Sequence, residues 1–412
     1  MAFFITAFIV YFLLLAGVVY KFQHKKTGLS AKFLIPAFAF KVGMAVLYGY
    51  LFQKFYNGDD TWEIHRECLE AWEMISNSPA EFFRQFLPQV SSPGNNLTEH
   101  IGIFFYNLEQ YLISLILAPT VPLTGGNYYL MVIFLSAILF PAQCWLYSML
   151  KNISPERESL YYLLIFWFAP VVFWLSGLRA DGFIFLSLMI ILREFPGFLK
   201  STNWLSLVII LLAFGFIFIL RPQVAMVIFP GLIAWWIAEK KAARPFQVFL
   251  ILYTSAILLF FISLFLPEPF NPSGIFKAKQ AAFLSLEGTS FYLPPLTDPV
   301  SWVNLLPYAI QNSFLRPFIW EARGILQIMA SLESMLIIIL TVLLFRNYKL
   351  IPGILNQNFY CFLLFFSIML YISIGYMVPF PGAIVRYRII GELFLLVILL
   401  TASTRAKQIK IF

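Results

Sequence analysis

An all-α, polytopic transmembrane helical bundle is the fold the sequence predicts, and three observations carry that expectation. Hydrophobic residues make up 61% of the 412 and charged residues 12%, with a mean hydropathy of +0.83, far from the balance of soluble globular domains. Many apolar stretches reach the roughly 20 residues a spanning helix needs. None shows the alternating pattern of a barrel strand. The expected spans fall at 2–20, 33–55, 127–150, 159–176, 182–195, 203–220, 223–238, 246–266, 326–345, 356–376 and 387–403, about eleven in all. The first 20 residues lack a basic leader and a small-residue cleavage site, so they read as a retained span. One membrane domain, 1–412, is expected, with outer loop regions at 56–126 and 267–325.

Short loops that keep lysine and arginine set the orientation. Lys21, Lys25, Lys26 and Lys32 share the first loop with no acid; Lys240, Lys241 and Arg244 share another; Arg405, Lys407 and Lys410 lie in the tail. The positive-inside rule makes these cytoplasmic. The segment 56–100 instead carries eight acids, among them Asp59, Asp60, Glu63, Glu67, Glu70 and Glu73, against Arg66 and Arg84. It is expected outside. The apolar stretch 101–121 then has to re-enter or lie in the interface, and its Asn107, Glu109 and Gln110 suit that. The formal charge of +8 reports topology, and its scatter over several loops argues against a nucleic-acid partner. Cys68, Cys144 and Cys361 are too widely spaced to suggest a disulfide framework or a metal site.

The first outer loop opens with an amphipathic helix expected to lie along the membrane surface. Trp62, His65, Leu69 and Trp72 fall at helical spacing on one face, and Glu63, Glu67, Glu70 and Glu73 line the other. Asp59 and Asp60 stand at its head. Two adjacent carboxylates at a membrane surface repel each other and resist desolvation, so they call for a cation, a proton or a hydroxyl to act on. Asp60 followed by Glu63 also reads as a capping arrangement, which leaves Asp59 without a structural role. His65 is an accessory candidate as a proton carrier or ligand. The second outer loop, rich in proline, glycine and serine, reads as a mobile cover.

On this topology Arg179, Arg221, Arg316, Arg323, Arg386 and Arg388 all fall near the outer ends of spans, against the positive-inside bias. A guanidinium stays charged at depth and presents forked donors matched to phosphate oxygens, so the cluster points to a phosphate-bearing lipid. Arg221, Arg386 and Arg388 are the first choices. Arg179, Arg316 and Arg323 come second, because Asp181 and Glu321 stand close enough in sequence to pair with them.

This pattern resembles the GT-C superfamily of polytopic glycosyltransferases. The resemblance rests on Asp59-Asp60 heading an acidic, amphipathic outer loop, on the turn Ser176 to Gly182, on Arg316 to Arg323, and on Arg386-Tyr387-Arg388 before a terminal span. The acidic loop usually follows the first span in that superfamily; here it follows the second. The resemblance implies a polyprenyl-phosphate-linked sugar as donor and a glycan, lipid or protein as acceptor. It also implies a site facing the periplasm or exterior of a bacterial cytoplasmic membrane, with Asp59 or Asp60 as the catalytic or metal-binding acid. Hard oxygen ligands at Asp59 and Asp60 suit magnesium or manganese, though nothing in the sequence requires a metal. Two other readings use the same residues or class: a polysaccharide polymerase joining lipid-linked units, and a transporter or flippase of lipid-linked sugars.

Overall fold

The computed structural model describes residues 2–84, 108–109, 111–267, 271–288, 290–322, 324–346 and 351–403. Arg323, Asn107, Gln110 and the tail residues Arg405, Lys407 and Lys410 lie outside the described residues. Helix dominates, and there is no strand among the described residues. Among the described residues, eight helices are long and apolar enough to cross a membrane. The protein is an integral membrane protein.

Three of the expected spans do not meet that standard, each for a physical reason. The stretch 159–176 is broken into Glu158–Phe166 and Ala169–Trp174. Pro170 lacks the amide a continuing helix needs and disfavours helical backbone before it. Trp204–Leu220 has 17 residues, one short turn below a full span. The last helix, Pro381–Ser403, carries Arg386, Arg388 and Glu392.

The chain divides into two compact units, Met1–Phe195 with Trp204–Leu220, and Pro196–Asn203 with Arg221–Phe412. In the first unit, α1 (Ala2–Thr27), α2 (Ala31–Phe55) and α4 (Tyr128–Ile153) pack side by side, with α3 (Asp59–Asn77) between α2 and α4 in sequence. Phe38 stacks on Phe12 at 5.8 Å and meets Phe140 edge-on at 5.5 Å, which joins all three long helices through one apolar layer. Ser148 Oγ donates to the Lys26 carbonyl at 2.9 Å, so the basic first loop lies by the C-terminal end of α4. Trp62 of α3 stacks on Tyr128 at 4.2 Å, at the opposite end of α4. Ser148 and Tyr128 lie about 30 Å apart along α4, which separates basic loop and acidic helix by about the thickness of a hydrocarbon core.

The buried stripe of α3 is Thr61, His65, Cys68 and Ala71, with Trp62, Leu69 and Trp72 along its border. Small side chains let the helix axis approach its neighbours, and the larger rings close the margin. The apolar stretch Tyr111–Thr124 is 14 residues, about 21 Å, too short to span. Tyr111 and Leu115 pack instead on the cluster of Ala71, Phe82 and Ala118.

In the second unit, α7 (Pro222–Lys241), α8 (Pro245–Ser263), α9 (Pro299–Ile310) and α12 (Pro381–Ser403) pack on α11 (Asn358–Met377), and α10 (Ile325–Arg346) packs on α12; α5 (Ala180–Ser201) and α6 (Trp204–Leu220) precede them in the chain. Gly375 permits the closest approach: a Cβ there would stand 2.1 Å from the Ala309 carbonyl oxygen of α9. The segment expected as a mobile cover is largely helical where described, as Ser273–Leu284 and α9. Asp298 caps α9 by accepting from the Ser301 amide at 2.8 Å, a capping box with Pro299 in the first turn. Gln280 ties the shorter helix down, donating to Tyr376 O at 2.9 Å and accepting from Leu296 N at 2.7 Å.

Candidate active site

The acidic pair sits on a sharply strained turn. α2 ends at Phe55, and Asn57, Gly58 and Asp59 follow with φ of 51°, 95° and 46°. Three successive left-handed residues reverse the chain; glycine takes this region freely, whereas asparagine and aspartate enter it at a cost of order 1–3 kcal/mol. The Gly58 amide closes the turn on the Phe52 carbonyl at 2.9 Å. Asp59 and Asp60 thus fall in the first turn of α3, where the helix dipole favours negative charge. The capping role expected for Asp60 is not what the structure has: Gly58 is the N-cap and no side chain caps the helix.

Arg179 claims both acids. It follows the turn from Leu175 and precedes α5, is 3% exposed, and donates through Nη1 to Asp60 Oδ2 at 2.8 Å and through Nη2 to Asp59 Oδ2. Its guanidinium lies over the rings of Phe52 and Tyr48, 5.4 Å and 5.9 Å from their centroids. These bonds bring the acidic pair to Arg179, a contact the sequence reading did not anticipate. Asp181, 1% exposed in the first turn of α5, adds its field to the same guanidinium. Arg179 is thus the partner of the acidic pair.

The acids remain reachable. Their side chains are 35% and 54% exposed. Partial burial raises the Asp59 carboxyl above the usual carboxylate range; Arg179 opposes that shift and the neighbouring Asp60 charge adds to it. Beneath them Tyr48, fully buried, points a hydroxyl that has no hydrogen-bond partner among the described residues. Lys41, one further turn-pair down α2, is 1% exposed and donates to Leu175 O at 3.1 Å and Ser176 Oγ at 3.3 Å. These bonds fasten the turn that carries Arg179. Gly177 is part of the same fit, because a Cβ there would stand 2.8 Å from the Tyr48 ring.

His65 is placed for structure. Its Nε2 lies 2.9 Å from the Gly126 carbonyl, its ring meets Trp62 and Tyr128 edge-on, and burial lowers its pKa. Cys68, one turn on, is a buried free thiol pushed up to about 12 by desolvation, hence inert. Among the described residues no three His, Cys, Asp or Glu side chains converge as metal ligands.

Of the expected phosphate-binding arginines, the second unit brings two together. The guanidinium of Arg221, at the start of α7, lies 3.7 Å from the Tyr387 ring centroid, and that of Arg386 lies 4.7 Å from it. One tyrosine therefore carries two cations. Arg388 diverges from them because Arg386-Tyr387-Arg388 is helical, not extended. It is 1% exposed and donates to Ser313 O, Arg316 O and Ser334 Oγ at 2.9, 2.8 and 2.7 Å, with Nε 3.3 Å from Glu392. Its donors are therefore taken up inside the second unit, where they brace neighbouring segments. Arg316 pairs with Glu321 at 3.2 Å and lies over Phe291, and Glu321 also accepts from the Phe318 amide at 3.0 Å.

Sequence reading missed Tyr48, Lys41, Glu333 and Glu392. Lone polar residues within spans were the available signal, and Arg388 with Glu392 has the i,i+4 spacing of a helical ion pair. In comparisons with known proteins, no family model, no curated relative and no solved structure matches the chain.

Proposed function

We propose that the chain is a membrane glycosyltransferase of GT-C type, moving a sugar from a polyprenyl-phosphate donor to an acceptor hydroxyl at the outer face of a bacterial cytoplasmic membrane. The observation that carries this reading is the acidic pair itself. Two half-exposed carboxylates stand on a strained turn, oriented by a buried arginine, with the Asp59 carboxyl made more basic than usual. A carboxylate with a raised pKa is a better proton acceptor near neutral pH.

In the reaction proposed, the Asp59 carboxylate takes the proton of the acceptor hydroxyl as that oxygen bonds to the anomeric carbon. The bond from that carbon to the phosphate oxygen breaks, its electron pair leaves on the lipid phosphate, and the anomeric configuration inverts. Within the second unit, Arg221 and Arg386 are the candidate grip for a lipid phosphate, since forked donors match phosphate oxygens. Asp60 and Arg179 hold Asp59 in place. No metal enters any of these steps; a divalent ion, where one binds, would use the exposed oxygens of Asp59 and Asp60.

The test is direct. Purified protein in detergent, given a radiolabelled polyprenyl-phosphate sugar, is expected to transfer or hydrolyse the sugar. Products one sugar longer support a transferase, and products longer by many repeat units support the polymerase reading. A carrier has one observation in its favour, the buried charges Glu333, Arg388 and Glu392 midway along their helices. It would leave the donor intact and move it across a liposome bilayer.

A further inference from the structure

The deepest charges in the second unit do not balance. Glu333 is the sole charged residue between Ile325 and Phe345, and Glu392 is followed by eleven uncharged residues to the end of α12. They are 4% and 0% exposed, and Arg388 is 1% exposed. Two carboxylates against one guanidinium leave a net negative charge in a helical interior, which is far costlier than a neutral cluster. Among the described residues, the neighbouring elements supply no further cation to offset it. The segment Gln311–Leu315 offers the Ser313 carbonyl, already bonded to Arg388, and α11 offers Tyr371. Arg316 contributes only its carbonyl there, while its guanidinium pairs with Glu321.

The hydrogen bonding is incomplete in the same place. Glu333 Oε2 and both Glu392 oxygens have no hydrogen-bond partner among the described residues, although the two side chains lie within hydrogen-bonding reach of each other. Two ionised carboxylates are acceptors only and cannot satisfy one another; with one proton between them, one becomes a donor. A second observation points to the same spot. Tyr371 is 1% exposed, its hydroxyl is likewise without a partner, and its ring fits beside Gly391, where a Cβ would stand 3.2 Å from the ring edge.

We propose that Glu333 and Glu392 form a proton-binding site inside the helical bundle of the second unit, in which Glu333 carries the proton and donates it to a Glu392 that stays ionised against Arg388. The assignment of roles follows from the 3.3 Å pair of Arg388 Nε with Glu392, which Glu333 lacks. The bound proton cancels the excess charge, so the packing of α10 on α12 is linked to its presence. A sodium ion would need several more oxygens, and the nearby carbonyls of Ser313 and Arg316 already accept from Arg388. This site is independent of the reaction proposed at Asp59.

Infrared spectroscopy of the purified full-length protein tests the proposal. A carbonyl stretch of one buried, protonated carboxylic acid per chain is expected, persisting well above the pH of about 4 at which an ordinary glutamate titrates. Glu333→Gln, an amide in place of the neutral acid, should fold, remove that band and leave the melting temperature nearly unchanged. Glu392→Gln should lower the melting temperature, because Arg388 loses its counter-charge. If Glu333→Gln does not fold, the wild-type titration still decides. Loss of the band near pH 4, its survival in both variants, or saturable binding of radioactive sodium abolished by Glu333→Gln would each overturn the proposal.

Discussion

Arg179 donates to Asp60 at 2.8 Å from a position that is only 3% exposed, while Asp60 itself is half in solvent. The cation is the buried member of this pair and the acids are its presented face. Such an arrangement orients the carboxylates from behind and leaves their outer oxygens to meet a ligand.

The fork of Arg179 is the first thing to test. Arg179→Lys keeps the charge but cannot reach two carboxylates at once, so thermal unfolding in detergent should show a loss of roughly 1–3 kcal/mol. The lower end is expected because both acids are partly screened by solvent. Unchanged stability would mean that the guanidinium does not hold the turn.

The pH dependence of turnover tests the link between the two acids. Asp59 is raised in the folded state, so the stability it contributes is complete below the ordinary carboxylate value of about 4 and is lost as pH rises through the raised value. Activity runs the other way, since a base must be ionised. The acid limb of the rate profile should therefore lie above the ordinary carboxylate range. Asp60→Asn removes a neighbouring charge that raises Asp59 and should move that limb to lower pH. An unmoved limb would separate the two residues.

The arginines should divide by location. Arg221→Lys and Arg386→Lys, both beside the Tyr387 ring, are expected to weaken polyprenyl-phosphate binding measured with purified protein, because lysine forfeits the forked geometry. Arg388→Lys should instead cost stability, roughly 2 kcal/mol for the hydrogen bonds lost to Ser313, Arg316 and Ser334. Lys26→Arg should be silent. A donor-affinity loss confined to Arg388→Lys would reverse this division.

Glycine packing supplies a prediction that owes nothing to function. Gly375→Ala would drive a Cβ to within 2.1 Å of the Ala309 carbonyl oxygen, a backbone atom that cannot swing aside, so a loss of about 1–3 kcal/mol or more is expected. Gly43→Ala, with nothing within 4 Å of the new Cβ, should gain roughly 0.5–1 kcal/mol from helix propensity. Equal melting temperatures for the two variants would contradict the close approach of α9 and α11.

The helices and the amphipathic α3 were legible because run length and a 3.6-residue period are local properties of the chain. The break at Pro170 was missed, because an otherwise apolar run from 159 to 176 outweighed the single proline. The site was readable only in part. Asp59 and Asp60 declared themselves by adjacency, whereas their partner Arg179 lies 120 residues from Asp59, and no local pattern specifies a contact of that range. Asp181, nearer in sequence, was the natural partner to expect. The divergence of Arg386 and Arg388 depended on whether three residues are helical or extended, which the preceding Pro381-Gly382 left undecided. Glu333 and Glu392 were overlooked because each is a single acid in a long apolar run, and only the packing of α10 on α12 brings them together.

The most direct measurement of the central claim is sugar transfer by Asp59→Asn beside the wild type, with donor binding followed in the same preparations. Asparagine keeps the shape of the side chain and removes the base. The account predicts that turnover falls by at least about a hundredfold while the polyprenyl-phosphate sugar still binds. Near-normal transfer by the Asp59→Asn, Asp60→Asn double variant would contradict it.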